Sequence, residues 1–264
     1  MILRPFFGYF GSKWKLAPLY PAPRHDTIIE PFAGSAGYAL RYHRRRVILR
    51  DVDPIIVGIW RYLLRSSAAE LLALPDVPEG ASVDDLAQLP QEARWFIGQW
   101  LGASPTSPRK HASKWMRDGR WPTRFWGEAT RRRIARQIDQ IRHWRVEEGS
   151  YEDAPSLEAT WFVDPPYQVA GTRYRIGSQH IDFPALASWC RTRRSQVVVC
   201  ENEGATWLPF QPIAGIQTSR RGKRSLEAAW LGDSHRGPVA PQLVLPVAHP
   251  QLAGAPARRG VVVG

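Results

Sequence analysis

Two short β-branched runs, Thr27-Ile28-Ile29 and Val47-Ile48-Leu49, bracket the glycine-containing loop Glu30-Pro31-Phe32-Ala33-Gly34-Ser35-Ala36-Gly37. The pattern reads as a strand, a tight turn, a helix start at Tyr38-Ala39-Leu40 and a second strand, the opening unit of a parallel α/β sheet. Glycines in such a loop let backbone approach a ligand closely. Asp51 follows the second strand, where a carboxylate suits the two hydroxyls of a ribose. The interval from Gly34 to Asp51 is close to the roughly 20 residues that dinucleotide folds leave between loop and acid. The loop carries neither the six-residue dinucleotide signature nor the Lys-Ser/Thr of a P-loop, so taken alone a structural turn fits it equally.

A third apolar run, Ala159-Thr160-Trp161-Phe162-Val163, ends in Asp164-Pro165-Pro166-Tyr167. Each proline fixes its own φ near about −65° and restricts the residue before it, so the turn needs little further ordering. Neither proline has an N–H, which leaves local carbonyls able to point at a ligand. Such a strand end suits a flat ring with an exocyclic amine: the carboxylate and a carbonyl accept the N–H bonds, and the tyrosine stacks on the ring face. An ordinary Asp-Pro turn is the competing reading.

Taken in order, four blocks resemble the S-adenosylmethionine-dependent DNA adenine-N6 methyltransferases of the Dam type. They are Phe7-Gly8-Tyr9-Phe10-Gly11-Ser12-Lys13, the loop from Thr27 to Gly37, the stretch from Val47 to Pro54, and Asp164-Pro165-Pro166-Tyr167. The long interval before the last block is similar to the alpha order of amino-methyltransferases. The resemblance covers roughly residues 4–60 and 155–232. It implies an α/β fold, a Rossmann-like class I methyltransferase sheet flanked by helices, with an inserted, mainly helical target-recognition region. It also implies S-adenosylmethionine as cofactor, double-stranded DNA as partner, and no metal. By the resemblance, Asp164, Pro165, Pro166 and Tyr167 are catalytic, accepting from adenine N6 and stacking on a base flipped out of the duplex. Lys13, with Tyr9 and Gly11, closes over the methionine end of the cofactor. Glu30, Phe32 and Gly34 line its pocket together with Asp164, Gly37 eases the turn into the helix, and Asp51 holds the ribose. Phe162 either faces the cofactor's adenine or fills the strand core. Methylation of adenine in RNA, methylation of cytosine at N4, and a catalytically silent DNA-binding relic are the alternatives.

The chain's net charge of +12 favours a polyanionic partner. Its 44% apolar content is enough for an ordinary core. Cys190 and Cys200, the two cysteines, have no ligand spacing and read as small core residues rather than a disulfide or zinc site. No segment reads as a signal peptide or membrane span, and a cytoplasmic location is expected.

Breaks in composition divide the chain into residues 1–75 and 151–235 for the catalytic domain, an insert at 76–150 and a tail at 236–264. Residues 51–74 read as helical up to the breakers Pro75, Pro78 and Gly80. From Gln91 to Arg145 there are 13 Lys/Arg against 4 Asp/Glu, and 6 of the 12 tryptophans. Within it, Trp95, Trp100 and Trp144 read as core. Glu128 to Trp144 reads as a helix with Ile134, Ile138 and Ile141 on one face. Lys114, Arg117, Arg120 and Arg124, in loop-like sequence, are the candidate DNA contacts, against a solvated basic surface. Gln168 to Gln179 reads as a mobile basic loop, with Tyr174 either beside the target base or a packing anchor. Asp182 is a plausible N-cap for a helix reaching about Arg193, Gln196 to Glu201 is a strand, and Ser219 to Leu231 reads as a final hairpin.

Overall fold

The β-branched runs form the parallel half of a mixed sheet in the computed structural model, which describes residues 2–117, 124–193, 195–217 and 224–232. The parallel strands are β1 (Thr27–Glu30), β2 (Arg46–Asp51), β3 (Arg145–Glu148), β4 (Thr160–Val163) and β5 (Gln196–Asn202). An antiparallel hairpin of β6 (Gln211–Gln217) and β7 (Arg224–Leu231) joins beside β5, giving the order β3-β2-β1-β4-β5-β7-β6. Successive residues of a strand face opposite sides of a sheet. Accordingly Ile28, Val47, Leu49, Phe162 and Val198 enter one apolar cluster, and Ile29, Ile48, Trp161, Val163, Val197 and Val199 another. Burial on both faces is what a parallel sheet requires, and it explains the continuous apolar runs.

The helices are α1 (Pro54–Arg65), α2 (Ala68–Ala73), α3 (Gln91–Trp100), α4 (Lys114–Arg117), α5 (Glu128–Ala135) and α6 (Phe183–Thr192). Asp53 caps α1, accepting from Ile55 N at 2.8 Å. Asp182 caps α6, accepting from Ala185 N at 2.9 Å, as its sequence position predicts. The helical reading of 51–74 is corrected to two helices. Ser66 closes the first, its hydroxyl bonding Tyr62 O at 2.7 Å, and Ser67 with Glu70 opens the second through a capping box. The reading of 128–144 as one helix also shortens. α5 stops at Ala135 and a 3-10 turn follows at Ile138–Ile141, because Gln137 turns to pair with both backbone groups of Arg4. Ile134, Ile138 and Ile141 are nonetheless buried on one side.

The helix start at Tyr38-Ala39-Leu40 is only a 3-10 turn, Ala39–Tyr42. Here the N-terminal segment passes so close that a Cβ on Gly37 would lie 2.5 Å from Trp14 N and 2.8 Å from Lys13 N. Lys114 and Arg117 belong to the one-turn α4 rather than to a loop. The hairpin begins earlier than expected, at Gln211. Its turn, with Arg220, Arg221 and Lys223, lies outside the described residues, as do Arg120 and the tail 236–264.

Residues of the 76–150 segment pack into the same cluster as the N-terminal strands: Phe96, Trp100, Trp126 and Trp144 join Phe6, Phe7 and Trp60. The segment also supplies β3. Much of its positive charge is tied down locally. Arg142 donates to Leu64 O at 2.8 Å and to Leu63 O and Ser66 O. Arg133 donates to Pro5 O at 2.9 Å and stacks on Trp100, while Arg131 pairs with Asp76 and Arg132 with Glu128. Among the described residues no helix is long and apolar enough to cross a membrane.

Candidate active site

Strand order reverses between β1 and β4: β1 leads outward to β2 on one side, and the chain returns to β4 on the other. In open α/β sheets a ligand crevice forms at the carboxyl ends of the strands flanking that switch point. Glu30 ends β1, and Asp164 immediately follows β4. A cleft opens there, and Tyr9, Gly11, Lys13, Glu30, Phe32, Gly34, Gly37, Asp51, Phe162, Asp164, Pro166 and Tyr174 all line it. All four sequence blocks, the last more than a hundred residues beyond the third, therefore contribute to one cleft.

The glycine loop is held from behind. Gly34 has φ +44°, a conformation that disfavours side chains, and an added Cβ would meet the Tyr9 ring at 3.1 Å. Its carbonyl accepts from Trp60 Nε1 at 2.9 Å, and its N–H donates to Asp51 Oδ2 at 3.0 Å. Asp51 is the last residue of β2, and its other oxygen accepts from Asp53 N at 2.9 Å. Burial pushes its carboxyl up to about 6, against those backbone donors. Beneath the loop, Glu30 is 2% exposed and accepts from Ala39 N at 2.6 Å; burial pushes it up to about 8.

At the other end, Lys13 lies across the Asp164-Pro165-Pro166-Tyr167 turn. Its ammonium, 5% exposed, sits 2.7 Å from Asp164 Oδ1 and 3.0 Å from Oδ2, and donates to Gly11 O at 2.9 Å. It also lies 4.7 Å from the centre of the Tyr167 ring and 3.8 Å from Glu227 Oε1. Burial works against the ammonium, but Asp164 and Glu227 outweigh it and hold its pKa above the ordinary lysine value. Asp164 is pushed up to about 6 by burial, with Lys13 pulling the other way. The geometry thus gives Lys13 an ion pair with Asp164, where the sequence reading placed it only over the cofactor.

Pro165 is buried and Pro166 half-buried against Gly171, whose N–H donates to Tyr167 O at 2.7 Å. Phe162 fills the strand core, where it stacks on Tyr38 at 4.2 Å, and it also lines the cleft. Tyr174 is a packing anchor in the cleft wall. Its ring lies 5.8 Å from those of Tyr9 and Phe10, and its hydroxyl donates to Phe10 O at 3.2 Å. Next to it, Arg175 forks onto Asp53 through bonds of 3.0 and 2.6 Å, which straps the 168–181 loop to the end of β2. Lys114 and Arg124 are exposed and stand apart from the cleft lining. The connection to that basic region runs through Phe10, whose N–H donates to Pro105 O at 3.2 Å.

Sequence reasoning missed several residues. Val52, Ser150, Tyr151 and Ile181 line the cleft, with Tyr151 stacked on Phe32 at 5.7 Å. Ser150 and Tyr151 follow β3 just as Asp164 follows β4, but β3 reads Arg-Val-Glu-Glu and carries too little apolar signal to be recognised as a strand. Glu201 and Glu227 were also unassigned, although both are buried beside the tetrapeptide. Glu201 accepts from Gln168 N at 2.9 Å and Trp207 Nε1 at 3.0 Å. Among the described residues no group of three or more His, Cys, Asp or Glu could hold a metal ion.

The cleft therefore offers a polar end at Asp51, an aromatic and aliphatic wall, a backbone cradle at Gly34, and a cluster of carboxylates around one lysine. This set fits a ligand that carries a diol, a flat ring and a positive centre. No protein-family model matches the chain, and no curated protein matches it.

Proposed function

We propose that the chain transfers the methyl group of S-adenosylmethionine to the N6 amine of adenine in DNA, on a class I methyltransferase sheet whose 76–150 segment carries target recognition. The observation that carries this reading is the shared cleft: the glycine loop with Asp51, and Asp164 and Pro166 of the Asp-Pro-Pro-Tyr turn, line one crevice at the switch point of a parallel sheet. The residues fit the cofactor. Asp51 suits its ribose; Phe32, Val52, Tyr151 and Ile181 suit its adenine; Gly34 lets backbone approach it; and the carboxylates suit its positive charge. When bound, S-adenosylmethionine supplies a methyl group already activated on a sulfonium.

The chain's own residues supply the rest. The adenine amine is a poor nucleophile because its lone pair is delocalised into the ring. Asp164 and the Pro165 carbonyl, accepting its N–H bonds, localise that lone pair and stabilise positive charge developing on nitrogen. Tyr167 stacks on the extruded ring, and the rigid prolines hold acceptor and platform in fixed relation. As the N–C bond forms, the S–CH3 bond would break with its electron pair staying on sulfur as a neutral thioether, and the amine proton would pass to Asp164 or to water.

One observation favours the silent DNA-binding reading. Lys13 takes up both Asp164 oxygens, which an incoming amine needs. Transfer of labelled methyl to mixed-sequence duplex DNA, followed by nucleoside analysis, separates the two. N6-methyladenine is the expected product, and Asp164→Ala should abolish it while nonspecific DNA affinity persists. N4-methylcytosine would replace the base assignment, and methylation of RNA alone would replace the substrate. Cofactor binding with no product on any nucleic acid would establish the silent binder.

A further inference from the structure

Glu227 belongs to none of the sequence blocks that point to the site, yet its carboxylate is tied to the residues that form it. It projects from β7 and is 4% exposed. Its Oε1 accepts from the Tyr20 hydroxyl at 2.6 Å and from the Tyr167 hydroxyl, and lies 3.8 Å from Lys13 Nζ. A buried carboxylate is costly without partners, so three convergent groups on one oxygen mark a built arrangement.

Two constraints meet at this residue. Tyr167 is held at its backbone by the Gly171 N–H and at its tip by Glu227, so the ring has little freedom to swing. Lys13 poses the second problem. The target amine and the ammonium compete for the same two oxygens of Asp164, and a buried ammonium cannot rehydrate where it stands. Glu227 is the neighbouring carboxylate. A displacement of about 1 Å would shorten the Lys13–Glu227 separation to the length of a charge-assisted hydrogen bond.

We infer that Glu227 is a positioning residue of the methyl-transfer site: it anchors the Tyr167 ring and receives the Lys13 ammonium when the adenine amine takes its place on Asp164. This rests on the reaction proposed above.

The test is single-turnover methyl transfer to duplex DNA by the full chain, comparing Glu227→Gln, Tyr167→Phe and the double variant. Glu227→Gln keeps the shape but removes the charge that both fixes the Tyr167 hydroxyl and draws Lys13 away. Its transfer rate should fall roughly 10-fold to 100-fold, by analogy with residues that orient a metal ligand from behind. S-adenosylmethionine affinity, read by calorimetry, should stay at the wild-type value, and Glu227→Asp should recover part of the rate. Tyr167→Phe keeps the stacking ring and loses only the anchor, so its effect should be smaller and should not multiply with that of Glu227→Gln. A wild-type rate for Glu227→Gln, or independent effects in the double variant, overturns the inference and leaves the reaction standing. If Glu227→Gln does not fold, a wild-type rate for Tyr167→Phe overturns the anchoring alone. A wild-type chain that binds cofactor but methylates no nucleic acid removes the reaction and the inference together.

Discussion

In the proposed reaction Asp164 must be ionised to stabilise positive charge on the amine nitrogen and take up its proton, and burial holds it up to about 6, against the pull of Lys13. Lys13 stays charged across the neutral range because its own pKa is raised. Methyl transfer is therefore expected to rise with pH through about 6 and level off above it, as kcat/KM profiles report for a free-enzyme group. A profile flat to about pH 5 would remove Asp164 from the acceptor role. Stability should run the other way. Glu30 at about 8 and Asp51 and Asp164 at about 6 all lie above the values of exposed carboxyls. The folded chain then binds more protons than the unfolded chain between about pH 4 and 8, so stability falls as pH rises through that window. Melting temperature should drop from about pH 5.5 to 8.5, and Glu30→Gln should flatten the upper half of that decline; an equal slope in both proteins would reject the assignment. At this scale the sequence made Asp164, Asp51 and Gly34 legible because each stands at a strand end with a recognisable apolar run before it. Glu227 and Tyr151 were hidden because their importance comes from partners distant in the chain: Tyr20 and Tyr167 for one, Phe32 for the other.

Strands were easier to read than helices. β1, β2, β4 and β5 are buried on both faces, so their apolar character is continuous and local. Helix ends depend on caps and on contacts with the N-terminal segment, such as Gln137 with Arg4, that no window of sequence contains. The loop between Gln168 and Ile181 shows the same limit. Its composition suggests a mobile basic loop, whereas the structure gives two 3-10 turns, Gly171–Arg173 and Ser178–His180, and a strap from Arg175 to Asp53. Arg175 is 39% exposed and Asp53 9%, so the pair is partly screened. Arg175→Ala should weaken S-adenosylmethionine binding by no more than about fivefold, the equivalent of about 1 kcal/mol. It should raise the cofactor's dissociation rate more than it lowers the association rate, since the loop closes the cleft through Tyr174. Stopped-flow release of bound cofactor checks this; an unchanged dissociation rate would mean that the strap does not govern access.

Across the whole molecule, a basic chain encloses an acidic pocket. The net charge is +12, yet Asp51, Asp164, Glu201 and Glu227 gather near the carboxyl ends of the strands or on the hairpin beside them, with Lys13 among them. A basic exterior attracts a polyanion at long range, while an acidic floor favours the positive centre that methyl transfer needs and disfavours phosphate there. For the proposed reaction, the basic surface would hold the duplex outside the cleft and pass only the extruded base inward. The sum of charges in the 91–145 segment does not identify the contacts, because Arg131, Arg132, Arg133 and Arg142 are engaged with the fold itself. Lys114 and Arg124 are exposed on the same segment, which touches the cleft mouth through Pro105 and Phe10. Each phosphate contact contributes about 0.9 to the slope of log affinity against log salt. Replacing Lys114 and Arg124 together with alanine should lower that slope by about 1.8 and leave melting temperature nearly unchanged. Arg133→Ala should do the reverse, lowering melting temperature through loss of its bond to Pro5 O and its stacking on Trp100 while the salt slope holds. If the surface pair leaves the slope at its wild-type value, the duplex lies on another face, and the connection through Phe10 has no part in delivering the base.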